Sequence, residues 1–487
     1  MSIMKQTYML CGMNQRWCFI LLSVRVRSVN LRHSLLATLV AVLWGLNFVA
    51  IDLGLHTNGR DVPPLLFVAM RFVLVVFPWI FFVRKPEVSW AAIIGVGLFM
   101  SAGQFGLLYL AMALGMPAGL ASLVLQAQVL LTVLLAAVAL VRLALLLLPL
   151  YAIGLTTLLD AISGLNTENP DLETPEEGLF WYRLVTLIWF PVQIVTVLSL
   201  IWYATHTDHL ALWEKVLLFY GVGVMSGGIG IVYAHELMHQ QPAWERWLAD
   251  LLLATVLYSH FRSEHLRVHH TYVGTPRDPV TARYDEGFPS YFLRVLRDCP
   301  PSAWRAERAA LARAGLPGWH PRNPFWRYGV LQAAALGLAL ALGGWTGLAV
   351  FLMQAALAVW QLEATNYIEH YGLTRRHLGD GRYEPVAPRH SWNATQRASN
   401  WLMINLQRHS DHHWRPDRRF PLLQTYTPDE APQLPFGYPG MIAIAAIPPL
   451  WRRVMNPRVR AWRRQHYPDI EDWSSYKTGS TPMPRNA

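Results

Sequence analysis

Long apolar runs recur along the chain and constrain its fold more than any other feature of the sequence. They lie at about 34–55, 65–84, 90–111, 118–140, 143–159, 181–204, 214–233, 328–347 and 348–363. Most are long enough, as helices rising about 1.5 Å per residue, to cross about 30 Å of hydrocarbon. Since only 15% of the residues are charged, against about 25% in soluble domains, a soluble globular enzyme is excluded. We therefore predict an all-α, polytopic helical membrane protein.

The basic residues predict the orientation of these helices. Lys and Arg number 41 against 31 Asp and Glu, and in a membrane protein such an excess marks cytoplasmic loops rather than a nucleic-acid partner. Two Arg-rich regions, 234–327 and 364–430, are therefore assigned to a cytoplasmic helical cap. One question of topology stays open. Four spans that begin on the cytoplasmic side also end there, at Arg142, so a fifth complete span at 143–159 would place the cap on the outer side of the membrane.

Clustered histidines in these two regions predict a metal site. In His235-Glu236-Leu237-Met238-His239 the spacing of four places both imidazoles on one helical face. Taken alone, this motif also fits a zinc protease with Glu236 as general base. Further clusters are His265-Leu266-Arg267-Val268-His269-His270, Glu369-His370 and His409-Ser410-Asp411-His412-His413.

The number of clustered histidines favours two metal ions. Nine imidazoles exceed one tetrahedral zinc site by more than a factor of two, and the three cysteines (Cys11, Cys18, Cys299) form no C-x-x-C pair. Neutral imidazole binds Zn, Cu, Fe and Ni, so the spacing alone leaves redox iron and zinc both open.

The stretch from about Leu143 to Asp469 resembles the integral-membrane alkane 1-monooxygenases of the fatty-acid-desaturase and hydroxylase superfamily. The matching motifs are HELMHQ (235–240), EHLRVHH (264–270), GTPRDP (274–279), NYIEHYGL (366–373) and LQRHSDHH (406–413). The resemblance implies a non-haem di-iron centre that inserts one atom of O2 into the terminal C–H bond of a medium-chain alkane. Its iron ligands would be His235, His239, His265, His269, His270, His370, His409, His412 and His413.

Four acidic residues stand beside these histidines in the chain and are candidates to orient them. A carboxylate that accepts the second ring N–H fixes the tautomer of a metal-bound histidine. The candidates are Glu236, Glu264, Glu369 and Asp411.

The same resemblance implies partners and a location. Electrons would come from a rubredoxin and its NAD(P)H-dependent reductase, and the alkane from the lipid of a bacterial inner membrane, with the site facing the cytoplasm. We expect Arg408, Arg415, Arg418 and Arg419 to form a docking patch for an acidic carrier, because opposite charges steer association.

Residues 34–137 resemble a different family, the first half of EamA-type drug and metabolite transporters. The matching segments are WGLNFVAIDLGL (44–55), MRFVLVVFP (70–78) and GMPAGLASLVLQAQ (115–128). That family builds a carrier from two bundles of helices, of which only one is present here. We predict a tail at 1–33, a transporter-like fragment at 34–140, a hydroxylase domain at 141–473 and a disordered tail at 474–487.

Four functions other than alkane hydroxylation remain open from the sequence. A desaturase or a methyl-arene hydroxylase would share the histidine clusters and differ in its product. A membrane zinc protease would need only His235, Glu236 and His239. A metabolite exporter built on the N-terminal part would work without any clustered histidine.

Overall fold

A computed structural model describes residues 69, 70, 73, 104–113, 116, 154–208 and 210–473 of the chain. The chain divides into two compact units, residues 1–122 and 123–487. In the first unit, helix α1 (Gln104–Ala113) overlaps the end of the predicted span at 90–111 and buries Tyr109. Apart from α1 and residues 69, 70 and 73, the four N-terminal spans fall outside the described residues, as do residues 143–153 and both predicted tails. The domain boundary expected near residue 140 therefore stays a prediction.

The second unit is mostly helical. Its α-helices are α2 (Thr156–Ser163), α3 (Phe180–His206), α4 (Leu212–Met225), α5 (Val232–His239), α6 (Ala243–Ala254), α7 (Phe261–Glu264), α8 (His270–Tyr272), α9 (Phe288–Arg313), α10 (Pro324–His370), α11 (Arg397–Leu402), α12 (His409–Trp414), α13 (Tyr438–Ala445) and α14 (Pro448–His466). Two π-helical segments interrupt this pattern, Ser226–Ile231 and His265–His269. The strands found among the described residues, β1 (His377–Gly379) and β2 (Arg382–Tyr383), pair antiparallel.

Three helical stretches in the described part of the chain are long and apolar enough to cross a membrane: Glu176–His206, Leu212–His239 and Pro324–His370. The first two coincide with runs read from the sequence at 181–204 and 214–233. The π segment Ser226–Ile231 lies inside the second and joins α4 to α5 without a break in the helix.

Helix α10 reverses direction at Gly344, whose backbone has φ 57° and ψ −153°. In a straight helix, residues 339 and 347 would lie about 12 Å apart. Instead, a Cβ built on Gly347 would lie 2.7 Å from the carbonyl oxygen of Ala339, so the chain folds back on itself. The two predicted runs at 328–347 and 348–363 are thus the arms of a hairpin, and the positive φ explains the glycine.

Small residues let α4 and the second arm of α10 approach closely. A Cβ on Gly223 would lie 2.9 Å from the backbone oxygen of Gln354, a separation that only glycine permits. Beside this contact, Trp189 Nε1 donates to Gln193 Oε1 at 2.8 Å, and Gln193 Nε2 donates to Thr255 Oγ1 at 2.9 Å. The buried amide of Gln193 is therefore paired at both its oxygen and its nitrogen, which fixes α3 relative to the end of α6.

Buried ion pairs and aromatic side chains join the polar half of this unit to the apolar helices. Asp250 is buried and pairs with Arg262 at 2.6 Å and Arg327 at 2.7 Å. Tyr367, near the end of α10, packs against Trp451 of α14 with ring centroids 5.1 Å apart. These contacts tie α6 to α7 and to the start of α10, and they tie the end of α10, where His370 lies, to α14.

Candidate metal centre

The nine clustered histidines converge into two groups. In each group, one ring nitrogen per histidine lies within 4.8 Å of the corresponding nitrogens of all the others. The first group holds His235, His239, His265, His270 and His412, and the second holds His269, His370, His409 and His413. All nine are histidines of the predicted clusters, and they lie together in the structure.

Helix geometry decides which histidine joins which group. His235 and His239 lie four apart on α5, share one face and join the first group. Around the π segment His265–His269 the hydrogen bonds run from i to i+5. His265 and His270 therefore share a face and join the first group, whereas His269 points to the second.

Helix α12 also supplies both groups. His409 and His413, four apart, join the second group, while the adjacent His412 faces the first. His370, the last residue of α10, completes the second group. One six-residue helix and one π segment thus each carry histidines of both groups.

Ring nitrogens meet at distances that hydrogen bonding does not explain. His265 Nε2 lies 2.9 Å from His235 Nε2, 3.1 Å from His239 Nε2 and 2.9 Å from His270 Nε2. One Nε2 atom carries either a proton or a lone pair, so it forms only one good hydrogen bond with three such neighbours. Two nitrogens bound at right angles to one ion, at about 2.1 Å each, lie about 3.0 Å apart. The observed spacing therefore fits nitrogens that share a cation.

The second group has the same geometry. His269 Nε2 lies 3.2 Å from His413 Nε2, which in turn lies 3.0 Å from His409 Nε2. His409 Nε2 lies 3.1 Å from His370 Nε2. Four converging imidazoles again offer lone pairs to one position.

Burial keeps these imidazoles in the neutral form that binds metal. Loss of hydration, followed by repulsion from neighbouring imidazoles, lowers the pKa values of His265, His270 and His412 well below the ordinary value. Burial likewise lowers the pKa values of His409 and His413. Each is uncharged at neutral pH and presents a lone pair.

Asp278 orients one of these histidines and was not among the predicted site residues. His269 Nδ1 lies 2.9 Å from Asp278 Oδ2, and a carboxylate can only accept there, so Nε2 of His269 keeps its lone pair for the group. Thr281 Oγ1 also donates to Asp278, at 2.7 Å. The signal was present in the sequence, because Asp278 is the acidic residue of the GTPRDP segment.

The four predicted orienting carboxylates differ in what they contact. Glu369 Oε1 lies 3.3 Å from His409 Nδ1, close to the ring, but the two atoms do not form a hydrogen bond. Glu236 accepts from Gln240 Nε2 at 2.9 Å instead. Glu264 is buried, and burial together with the nearby charges of Asp278 and Glu363 raises its pKa well above the ordinary value. Among the described residues, no hydrogen bond joins Glu264 to a ring nitrogen.

Asp411 anchors a loop rather than an imidazole. It is fully buried and accepts hydrogen bonds from the guanidinium of Arg418, from Tyr426 Oη at 2.6 Å and from the backbone N–H of Gln424 at 2.9 Å. These contacts tie α12 to the segment 418–426. The carboxylate therefore positions its helix through the backbone, not by holding a ring.

The four arginines expected to form a docking patch do not form one. Arg408 is buried and donates to the carbonyl oxygens of Leu423 at 2.6 Å and Glu168 at 2.8 Å. Arg418 pairs with Asp411, and Arg419 pairs with Glu245 at 3.2 Å. The expectation is corrected: only Arg415 of the four is exposed, because internal carboxylates and carbonyls hold the other three.

The zinc protease alternative does not fit this geometry. A catalytic zinc site of that type has three protein ligands and a water activated by the glutamate. Here His235 and His239 share their group with three more imidazoles, and Glu236 is engaged by Gln240.

Known proteins match both parts of the chain. The fatty acid desaturase family matches residues 210–445. Alkane 1-monooxygenase 2 of Pseudomonas aeruginosa is 42% identical over 316 residues, 63% of this chain and 82% of that protein. Alkane 1-monooxygenase 2 of Alcanivorax borkumensis is 39% identical over 322 residues, 64% of this chain and 82% of that protein. A further match is to a probable amino-acid metabolite efflux pump of Salmonella typhimurium, 54% identical over 106 residues, 22% of this chain and 34% of the pump.

Proposed function

The chain belongs to the alkane 1-monooxygenase family, and on that premise we propose that its nine clustered histidines hold two non-haem iron ions. The first group offers five imidazoles and the second offers four. The protein is an oxygenase, and we take its reaction to be hydroxylation of the terminal carbon of medium-chain n-alkanes. The observation that carries this assignment is the convergence of neutral Nε2 atoms at about 3 Å in two adjacent groups.

Iron in these groups would supply the activation of O2, by which an alkane, O2, two electrons and two protons give a primary alcohol and water. The chain's own residues do the positioning. Asp278 fixes the tautomer of His269, and Glu369 lies 3.3 Å from the Nδ1 atom of His409. Burial of the imidazoles keeps water from the reacting centre, which limits side reactions of the oxidant.

The site is proposed to lie on the cytoplasmic side of a bacterial inner membrane. Two of the membrane-length helices end at histidines of the site, Leu212–His239 and Pro324–His370. The site therefore adjoins one end of the apolar helices, where an alkane arriving from the bilayer would reach it. The Arg-rich segments on this side favour the cytoplasm.

A rubredoxin, reduced by its NAD(P)H-dependent reductase, is the proposed electron donor. The sequence contains no C-x-x-C pair for an iron–sulfur site, which favours a separate electron carrier. Because three of the four arginines near α12 are held internally, docking on this face would rely on Arg415, which stacks over Trp414 at 5.0 Å.

Metal content tests the assignment directly. We expect the purified protein, supplied with iron, to bind about two irons per chain. His265→Ala removes a member of the first group and His409→Ala one of the second, so each should lower the iron content well below that of the wild type. His466→Ala, a histidine outside both groups, is the control and should leave it unchanged.

Product analysis then separates the reactions. With O2 and reduced rubredoxin, octane should give 1-octanol, whereas a desaturase would give an alkene and a methyl-arene hydroxylase would require an aromatic substrate. About one zinc per chain, unaffected by His409→Ala, would contradict the proposal.

A further inference from the structure

A surface groove lies beside the C-terminal half of α9, on a part of the molecule distinct from the histidine groups. Its volume is about 520 Å³, and its walls include Arg305, Arg308, Leu316, Pro317 and Trp319. The groove combines two cations with an apolar wall. We call it the α9 groove.

The positive charge of the α9 groove is not neutralised by the protein. Arg305 and Arg308 lie three apart on α9 and so share a face, both are exposed, and neither forms an ion pair within the described part of the chain. The nearby carboxylate, Glu307, faces the interior, where it accepts from Ser263 Oγ and Arg267 Nε, each at 2.7 Å.

One of the two arginines is held in place by packing. A Cβ on Gly318 would lie 2.8 Å from both Cγ and Nε of Arg308, so the Arg308 side chain lies directly over this glycine. The Arg308 side chain is therefore held by this packing and is less free to move than an unsupported surface side chain. This reduces the conformational entropy lost when its guanidinium binds a ligand.

The loop that forms the groove is tied to the start of a membrane-length helix. Asn323 Nδ2 donates to the carbonyl oxygen of Gly318 at 2.8 Å, and Asn323 Oδ1 accepts from Phe325 N at 3.1 Å, which caps α10. Trp326 Nε1 donates to the carbonyl oxygen of Trp319 at 3.2 Å.

Two exposed tryptophans lie beside the groove. The side chains of Trp319 and Trp326 are 73% and 54% exposed, at the point where the apolar helix begins. Tryptophan is enriched where the bilayer meets water, and arginine extends its charge to the headgroup layer there.

We propose that the α9 groove binds the headgroup of an anionic phospholipid. The guanidinium groups of Arg305 and Arg308 would hold the phosphate, since arginine donates paired hydrogen bonds to phosphate oxygens. Leu316 and Trp319 would contact the glycerol end of an acyl chain. An acidic soluble protein fits less well, because the apolar wall and the two tryptophans lie at the membrane boundary.

Lipid binding to the full chain tests this proposal. Purified protein in neutral detergent is titrated with phosphatidylglycerol or phosphatidylcholine, and bound lipid is counted by native mass spectrometry. We expect one tight phosphatidylglycerol per chain, with phosphatidylcholine weaker. The double variant R305Q/R308Q should lose about tenfold or more in affinity for phosphatidylglycerol, because each arginine near a membrane surface contributes to attraction of anionic lipid.

Two exposed arginines of α14 provide the matched control. R453Q/R464Q removes the same charge from another surface and should leave phosphatidylglycerol binding unchanged. An equal loss in the control, equal affinity for the two lipids, or displacement of the lipid by an equimolar amount of inorganic phosphate would each overturn the proposal. Thermal unfolding of both double variants should match the wild type, since all four side chains are exposed.

Discussion

Replacing Asp411 with asparagine should destabilise the protein and reduce its metal binding. The carboxylate is fully buried and accepts from three donors, of which one is the guanidinium of Arg418. Asparagine keeps one acceptor oxygen, but its amide nitrogen faces a donor and it carries no charge. Arg418, whose side chain is only 16% exposed, is then left without its partner.

The expected cost follows from these contacts. A hydrogen bond to a charged group contributes about 1.5–3 kcal/mol, and breaking a buried ion pair costs about 3–5 kcal/mol. Because Arg418 keeps some access to water, we expect the lower end, about 3 kcal/mol. Asp411 lies on the helix that carries His409, His412 and His413, so iron content should fall as well.

The assay compares thermal unfolding and iron content of Asp411→Asn with those of Asp469→Asn. Asp469 also pairs with an arginine, forming two hydrogen bonds of 2.7 Å each with Arg376, but its side chain is 59% exposed. Exposed pairs contribute about 0–1 kcal/mol, so this control should lower Tm little, whereas Asp411→Asn should lower it by several degrees. Equal Tm values and equal iron content for the two variants would refute the reasoning.

Three further predictions concern other parts of the molecule. Asp278→Asn should weaken iron binding by about 10–100-fold, because His269 loses the acceptor that fixes its tautomer. An iron titration checks this against Asp298→Asn, whose side chain is 38% exposed and contacts Arg297 rather than a histidine. Gly223→Ala should cost about 1–3 kcal/mol by forcing α4 away from Gln354, whereas Gly329→Ala, with nothing within 4 Å of its added Cβ, should be neutral or stabilising in the same melting assay. Burial alone would raise the pKa of Glu384, but hydrogen bonds from His390 and Tyr467 outweigh burial and hold that pKa well below its ordinary value. The stabilisation from Glu384 is therefore present above about pH 4.3 and is lost as the pH falls through the lower, folded-state pKa. Glu384→Gln should accordingly be less stable than the wild type at pH 7, and the difference in stability between the two proteins should become smaller below about pH 4. A difference in stability that does not change with pH would contradict the predicted direction.

The histidines could be found from the sequence, but their division into groups could not. Spacing of four correctly pairs His235 with His239. The same rule would pair His265 with His269, yet the helix there is π-helical and pairs His265 with His270. A π segment differs from an α-helix by one inserted residue, and the spacing of apolar residues cannot reveal such an insertion in a short polar segment. The π-helical conformation is therefore seen only in the structure.

The polar neighbours were harder to predict because adjacency in sequence is a poor guide to contact. Asp278, nine residues from His269, reaches its ring because the chain turns at Gly274, which has φ 74°. Arg408 and Arg419 were expected to be solvated, yet their partners Glu168 and Glu245 lie 240 and 174 residues away in sequence. By contrast, the reversal at Gly344 was predictable, since two glycines interrupt an apolar run too long for one span.

Helix α12 and the π segment His265–His269 each contribute to both histidine groups, which links the filling of one to the filling of the other. An ion in the first group would immobilise His265, His270 and His412, and with them the backbone that carries His269, His409 and His413. The conformational entropy of ordering that backbone is lost only once, so a second ion binds to a framework that is already rigid. Such coupling is reciprocal and makes loading positively cooperative. At one iron per chain, the population would then consist mainly of empty and doubly loaded molecules, with the singly loaded form a minor species.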